Sequence, residues 1–409
     1  MRSAAERAAT ALTVLFAVAL PLSISVTEIA LGALLLLWVA GLIARWWELP
    51  RGGVLRLLLL LALWKLVAVA FSVDQWESLK EYRSTWSYLA VPILLTFASD
   101  PRRRIAAVRG MTWTMAVVFL YACVQFFTGM DIVRRGADKV VGVYPYGTNL
   151  YIAHGTFNHH LTFANSAMMA LLLMVGLTAV ASVRRTLPVR LLVILLGAFA
   201  LMASASRGPW MGLAAGLLLL GVLLGARATA VVGATALALA AALLIAFPPV
   251  AKRVLSVGDR TVNQERIYLW ESAVAMIADN PVTGIGPGVY SLCTPPYREK
   301  YRFAFQTNCH AHNTFLQVAI ETGIPGLILL VAFLTAWYRR VWPLARGGLS
   351  GERGLALGAV LAITGFLVAG LTQHNFGDME NVYMLWFVIG IALAARANST
   401  EVQGAQTAS

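Results

Sequence analysis

The chain is 409 residues long, with 59% apolar and only 12% charged residues and a mean hydropathy of +0.73. Charge stands far below the roughly 25% of an average soluble domain, and apolar runs of about 20 residues, each able to cross a bilayer core, recur throughout. A soluble globular domain is excluded. Nucleic-acid binding is not the reason for the net charge of +13, because the basic residues are spread over many short loops where membrane topology accounts for them.

The first apolar run follows Arg2 and Arg7 and lacks a convincing small-residue cleavage site, so it reads as an uncleaved first helix. About twelve spans are expected: roughly 8–23, 27–46, 53–71, 85–99, 105–128, 159–182, 189–205, 209–226, 228–247, 313–338, 355–372 and 381–396. An even number puts both termini on one side. Placing them in the cytoplasm collects Arg45, Arg51, Arg56, Arg102, Arg103, Arg104, Arg109, Arg184, Arg185 and Arg190 on the inside. Arg227, Arg339, Arg340, Arg346 and Arg353 join them, against few acids (Glu48, Asp100, Glu352), which is the positive-inside pattern. The outside segments are then about 72–84, 129–158, 206–208, 248–312 and 373–380. Cations retained there need another reason, and binding an anion is the obvious one.

The interval 248–312 is the longest polar stretch and divides the chain. Residues 1–247 hold the first nine expected spans, 313–397 the last three, and 398–409 form a short polar tail expected to be disordered. The interval contains Lys252, Arg253, Arg260, Arg266, Arg298, Lys300 and Arg302. Within it 263–278 has helical spacing, with Ile267, Trp270, Val274 and Ile277 on one face, and predicts an amphipathic helix lying at the membrane interface. Asn280-Pro281 stops that helix, and Gly284-Ile285-Gly286-Pro287-Gly288 predicts a tight turn. The interval closes with His310-Ala311-His312-Asn313, where an external loop becomes a membrane helix.

Several constellations stand out. Ser206-Arg207-Gly208-Pro209-Trp210 opens a helix from the outside: Ser206 is placed to cap it and Pro209 suits its first turn. Such a start binds anions, and a guanidinium adds a bidentate grip on phosphate, unless Arg207 merely snorkels to the head groups. Arg266 lies on the amphipathic helix, where a solvated face is the plainer reading. His312 titrates near pH ~6.5 if unperturbed and can accept a proton, or it can simply cap the tenth span; His310 ranks second. Asp378 and Glu380 precede the last span, and their carboxylates can bind a metal, orient a histidine or pair an arginine. No third ligand with suitable spacing is visible, so no metal or other cofactor is expected. His154, His159 and His160 have weak spacing for zinc and are expected to be structural. Lys65 and Glu321 are intramembrane and each requires a polar partner; Gly323-Ile324-Pro325-Gly326 predicts a kink just after Glu321. If the outside is a periplasm, Cys293 and Cys309 can pair as a disulfide that staples the loop.

Taken together these residues resemble the O-antigen ligase family, within a larger group that includes O-antigen polymerases and protein O-oligosaccharyltransferases. The resemblance rests on Gly155-Thr156-Phe157-Asn158-His159-His160, Ser206-Arg207-Gly208-Pro209-Trp210, Arg266 before Trp270, and the glycine-rich turn 284–288. Above all it rests on His312-Asn313-Thr314-Phe315-Leu316 followed by Glu321-Thr322-Gly323-Ile324-Pro325-Gly326. It implies an all-α, polytopic, GT-C-like inner-membrane enzyme of about twelve transmembrane helices, with a periplasmic loop carrying the amphipathic helix and both termini cytoplasmic. The family moves a polysaccharide from undecaprenyl diphosphate to an outer-core sugar of lipid A-core, at the periplasmic face of the phospholipid bilayer. Carried over residue by residue, its functional arginines fall on Arg207 and Arg266, its essential histidine on His312 and its external acid on Asp378. His310, Asn313, Ser206, Tyr268, Trp270 and Glu380 are candidate supports. No single motif separates ligase from polymerase. A non-enzymatic transporter of lipid-linked saccharide is the rival from another class, but its polar site would sit on broken midplane helices rather than at one face.

The chemistry suits those residue types. Charge grows on the departing diphosphate, so fixed guanidiniums are the expected tool. The acceptor hydroxyl is a poor nucleophile, and a histidine taking its proton typically contributes ~10²–10⁴-fold. One direct displacement implies inversion at the anomeric carbon.

Overall fold

Apolar runs with few breakers become helices because a bilayer offers backbone N–H and C=O groups no other partner. The computed structural model describes residues 2–134, 136–146, 149–180, 184–256, 260–300, 310–347 and 351–407. The chain begins with α1 (Arg2–Ala19), α2 (Ile24–Ile43) and α3 (Gly53–Ala70). Short pieces follow: α4 (Gln75–Tyr82), a 3-10 turn (Arg83–Leu89) and α5 (Ala90–Phe97). Next, α6 (Pro101–Thr128) leads through a small antiparallel ribbon, β1 (Met130–Asp131) against β2 (Gly136–Val140), to α7 (His160–Ala179). Then come α8 (Leu187–Ala203), α9 (Arg207–Leu224) and α10 (Ala226–Ala246). The polar interval holds α11 (Pro248–Leu255), α12 (Arg260–Asp279), α13 (Tyr290–Cys293) and α14 (Pro295–Lys300). The chain closes with α15 (Thr314–Arg346), α16 (Gly351–Ala369) and α17 (Met379–Thr407).

Among the described residues nine helices are long and apolar enough to cross a membrane: α2, α3, α6, α7, α9, α10, α15, α16 and α17. Three further segments expected as spans fall short of that length or composition. In α1, Arg2, Glu6 and Arg7 load the 18-residue helix with charge. The helix α8 is only 17 residues long. Over 85–99 the backbone is a 3-10 turn continuing into the eight-residue α5. At the other end, the stretch from Asn398 expected as a disordered tail continues α17 to Thr407. The proposed Cys293–Cys309 pairing falls outside the described residues, because Cys309 does.

Helices α7, α16 and α17 are mostly buried and form the centre, whereas α10 buries none of its apolar window and lies at the rim. A Cβ added at Gly176 on α7 would meet the Gly358 backbone of α16 at 2.2 Å, so this crossing needs glycine on both sides. At one end of the bundle two expected loop charges are buried instead. Arg103 ion-pairs with Glu6 at 2.6 Å, clamping α6 to α1. Arg104 pairs with Glu352, clamping α6 to α16.

The opposite end carries the functional elements. The expected kink after Glu321 is present: Gly323 has φ 69°, and Pro325 has no N–H with which to continue the ladder. The freed Ile320 and Glu321 carbonyls accept instead from Ile285 N (2.8 Å) and Gly286 N (3.2 Å), and Ile324 N donates to Pro281 O (2.8 Å). The glycine-rich turn is thus the backbone partner of the broken helix, which explains why both motifs contain glycine and proline. A second, small core sits beside it, with Leu269, Ala273 and Met276 of α12 packed with Ile285, Tyr290, Ala311 and Ile320. The helix expected at 263–278 is there as α12, ending before Asn280-Pro281. Its inward face differs from the expected stripe, since Ile267 and Val274 point outward.

Candidate functional site

Helices α7, α9, α15 and α17 all begin at this end, so four positive dipole ends converge there. Their starts are stitched together. Asn313 caps α15, its Oδ1 accepting from Phe315 N (2.9 Å) and Leu316 N (3.1 Å), while its Nδ2 donates to Leu371 O (3.0 Å). Thr314 N donates to Gly370 O (2.7 Å), and Thr314 Oγ1 donates to Gln373 O (3.0 Å) and accepts from Asn375 N (3.0 Å). These bonds lock the 310–313 segment against the 370–378 loop and so bring a third histidine, His374, to the pair expected from sequence.

The three imidazoles are neighbours: ring centroids are 4.3 Å apart for His310 and His312 and 5.5 Å apart for His310 and His374. His310, His312, His374 and Asp378 line one cavity of about 110 Å³ together with His159, Asn165 and Gln373. His312 has φ 48°, a left-handed conformation uncommon outside glycine. His312 N donates to His310 Nδ1 (3.3 Å), which puts the proton of neutral His310 on Nε2.

Burial, then the neighbouring His310 and Arg266, pushes the His312 imidazole down to about 3. It is therefore neutral at physiological pH, with a free lone pair but less basicity than an unperturbed imidazole. His374 is likewise pushed down to about 3, by burial and then by His310, Lys65 and His312. His310 is lowered by burial and partly restored by Asp378. Burial raises the Asp378 carboxyl, opposed by a hydrogen bond with Thr162 and by His159 and His310. Asp378 therefore acts on His310, and it also accepts from Asn381 Nδ2 at 3.4 Å.

One tether holds the His310-Ala311-His312 segment from below. Ala311 is fully buried, and its N–H donates to Gln317 Oε1 (2.8 Å). The Gln317 amide is oriented in turn by donating to Glu321 Oε1 (2.9 Å), which also accepts from Gly288 N (3.4 Å). These are the partners that intramembrane Glu321 requires.

Next to the histidines lies a group of guanidiniums. Arg207 is buried, and its Nη1 donates to Ser256 O (2.9 Å) and Ser256 Oγ (3.3 Å) while its Nη2 donates to Asn263 Oδ1 (3.1 Å). It therefore pins the end of α11 and the start of α12 and brings a buried positive charge to the site. Arg266, on α12, is half-buried and held below its ordinary value by burial and then by Arg253, with Glu265 opposing. Arg253, on α11, donates from Nε to Ala205 O (3.3 Å), beside the start of α9. None of the three forms an ion pair among the described residues. Sequence reasoning counted Arg253 among the cations of the interval but gave it no role. Its place becomes visible only when α11 folds back to the α8–α9 turn.

Several supports differ from expectation. The Ser206 side chain makes no cap to α9; its Oγ donates back to Ser204 O (3.1 Å) and lies 3.1 Å from His160 Nδ1. His160 Nδ1 also meets Ser204 O at 2.8 Å, and His159 Nδ1 accepts from Leu161 N (3.2 Å), so both histidines brace the α7 and α9 starts. Tyr268 accepts from Gln264 Nε2 (2.9 Å) and packs with Trp270 against the second core. Glu380 faces Asp378, Arg134 and Glu28 and is not part of the cavity wall. Among the described residues no three His, Cys, Asp or Glu side chains are grouped to hold a metal ion.

A multi-pass helical membrane protein with histidines and arginines gathered at one end of the bundle is what fold and site define. Residues 192–331, about a third of the chain, match the family model described as O-antigen ligase. The matched stretch encloses Arg207, Arg253, Arg266, His310, His312 and the kink. The chain is also 28% identical over 133 residues to the exopolysaccharide production protein ExoQ of Rhizobium meliloti. That match takes in 31% of this chain and 30% of ExoQ's own length.

Proposed function

We propose that the protein is an inverting glycosyltransferase that moves O-antigen polysaccharide from undecaprenyl diphosphate to an outer-core sugar of lipid A-core, at the periplasmic face of the inner membrane. The observation that carries this reading is the meeting of His312, in its left-handed conformation, with guanidiniums that form no ion pair among the described residues, at one mouth of the bundle. The diphosphate binds against Arg266 and Arg253, with the buried charge of Arg207 behind them. One cation at ~4 Å is worth about 4 kcal/mol at an effective dielectric near 20, so two or three decide the stability of the leaving group. The acceptor oxygen attacks the anomeric carbon as the bond to the phosphate oxygen breaks, its electrons leaving with undecaprenyl diphosphate. The hydroxyl proton passes to His312.

Arg266 adds to burial and His310 in depressing His312. A bound diphosphate offsets the part of that effect that comes from Arg266. Asp378 acts through His310, keeping the histidine cluster oriented. The His312 base assignment is tested by a His312→Ala protein, which should lose ~10²–10⁴-fold in transfer rate.

The likeness to an exopolysaccharide production protein fits a second reading equally well, a polymerase that uses another lipid-linked glycan as acceptor. Purified protein in liposomes, given lipid-linked glycan with and without lipid A-core and with and without chelator, separates the two. A ligase transfers only when lipid A-core is present, a polymerase lengthens the glycan alone, and an unreactive donor in both arms rejects the transferase reading.

A further inference from the structure

A second cavity, of about 70 Å³, lies against the first and shares His374 as a common wall. Besides His374, its polar lining is Lys65 of α3, Glu81 of α4, Ser84, Ser87 and Tyr88 of the 3-10 turn, and Glu321 and Thr322 of α15. It lies at a depth suited to substrate entering from the functional end. Lys65 is five residues from the end of α3, or ~7–8 Å, and Glu321 is seven residues into α15, or ~10 Å, at 1.5 Å rise per residue.

Resting on the transferase reading above, we propose that this second cavity receives sugar hydroxyls of the acceptor glycan, so that donor and acceptor reach His312 from opposite sides. Three arguments converge. In-line displacement needs the nucleophile opposite the leaving group. The arginines that suit the leaving diphosphate belong to α9, α11 and α12, whereas this cavity is walled by α3, the α4 region, α15 and the loop before α17. Its chemistry is also wrong for a diphosphate and right for a polyol: two carboxyls repel an anion, but carboxyl oxygens, a serine hydroxyl and an ammonium together accept from and donate to sugar hydroxyls. Finally, Lys65 is a cation inside a spanning helix, a costly placement that ordinarily marks function, and it forms no ion pair among the described residues. The carboxyl it faces, Glu321, is held by Gln317 and Gly288 instead. The volume admits one edge of a sugar, with the rest of the acceptor outside.

The link to catalysis is mechanical. Glu321 lines this cavity and holds Gln317, which holds the amide between His310 and His312. An acceptor seated there touches the element that positions the base.

The test uses full-length protein in liposomes with lipid-linked glycan and lipid A-core, each varied at saturating levels of the other. Glu81→Gln and Lys65→Met should each raise KM for lipid A-core about tenfold, leaving donor KM and kcat within about twofold. An unchanged acceptor KM, or an equal rise for the donor, overturns the assignment. A second measurement does not depend on turnover: p-benzoylphenylalanine placed at Ser84 should photocrosslink to sugar residues of the acceptor, mapped by mass spectrometry. Attachment to the polyprenyl chain, or no attachment, sinks the proposal. If wild-type protein fails to transfer to lipid A-core while the crosslink to sugar persists, the ligase reading falls and the pocket stands.

Discussion

Replacing Gln317 by leucine should uncouple the base from its support. The side chain carries two bonds: it accepts from the buried Ala311 N–H at 2.8 Å and donates to Glu321 at 2.9 Å. Leucine fills similar volume but makes neither. The orphaned Ala311 N–H costs about 1–3 kcal/mol, and the lost bond to the carboxyl about 1.5–3 kcal/mol if it is ionised. Against this stands the left-handed backbone of His312, which costs roughly 1–2 kcal/mol and is tolerated only while its surroundings hold it. Removing the tether makes relaxation of His312 to an ordinary conformation competitive, and a misplacement of about 1 Å can cost 10²-fold in rate. The expected result is a fall in kcat of ~10–100-fold with donor KM little changed. The assay is transfer kinetics in liposomes, paired with a thermal midpoint in detergent to show that the bundle persists. A Gln317→Leu protein with kcat within twofold of wild type would refute the idea that this tether positions His312.

Three further outcomes are expected. Arg253→Gln should raise donor KM by roughly 10–100-fold, less than the full ~4 kcal/mol of one cation at contact because Arg253 is only half-buried; an unaltered donor KM removes Arg253 from the anion site. Acidification should destabilise the fold: with His312 and His374 both pushed down to about 3, the unfolded chain binds more protons between that value and ~6.5, so their contribution is intact above ~6.5 and declines as pH falls. One unit below ~6.5 each costs at most about 1.4 kcal/mol, so the thermal midpoint should drop on going from neutral to mildly acidic buffer, and His374→Asn should flatten that drop. Arg104→Ala strands the Glu352 partner at the far end of the bundle and should lower the thermal midpoint while leaving both KM values unchanged; a changed donor KM would contradict a purely structural role.

The membrane passes, α12 and its stop, and the kink after Glu321 were all legible in the chain, because hydropathy, helical period and the missing N–H of Pro325 act over a few residues. The local form of the shorter segments was less legible. Hydropathy cannot tell that 85–99 folds as a 3-10 turn and a short helix, or that Arg103 and Arg104 pair with Glu6 and Glu352 rather than stay in a loop. The site was legible in residue type but not in arrangement. Arg207 and Arg266 stood out locally, yet which guanidiniums remain open to an anion depended on Ser256 and Asn263 taking the Arg207 nitrogens, and on α11 bringing up Arg253. His374 and the partners of Glu321 lie in segments far apart along the chain, so only packing of α15 against the glycine-rich turn and the loop before α17 could join them. Composition and periodicity determined where the chain meets lipid; the crossing of helices remote in sequence decided which polar groups face one another, because a hydrogen bond reaches only about 3 Å and nothing in a linear chain encodes that distance.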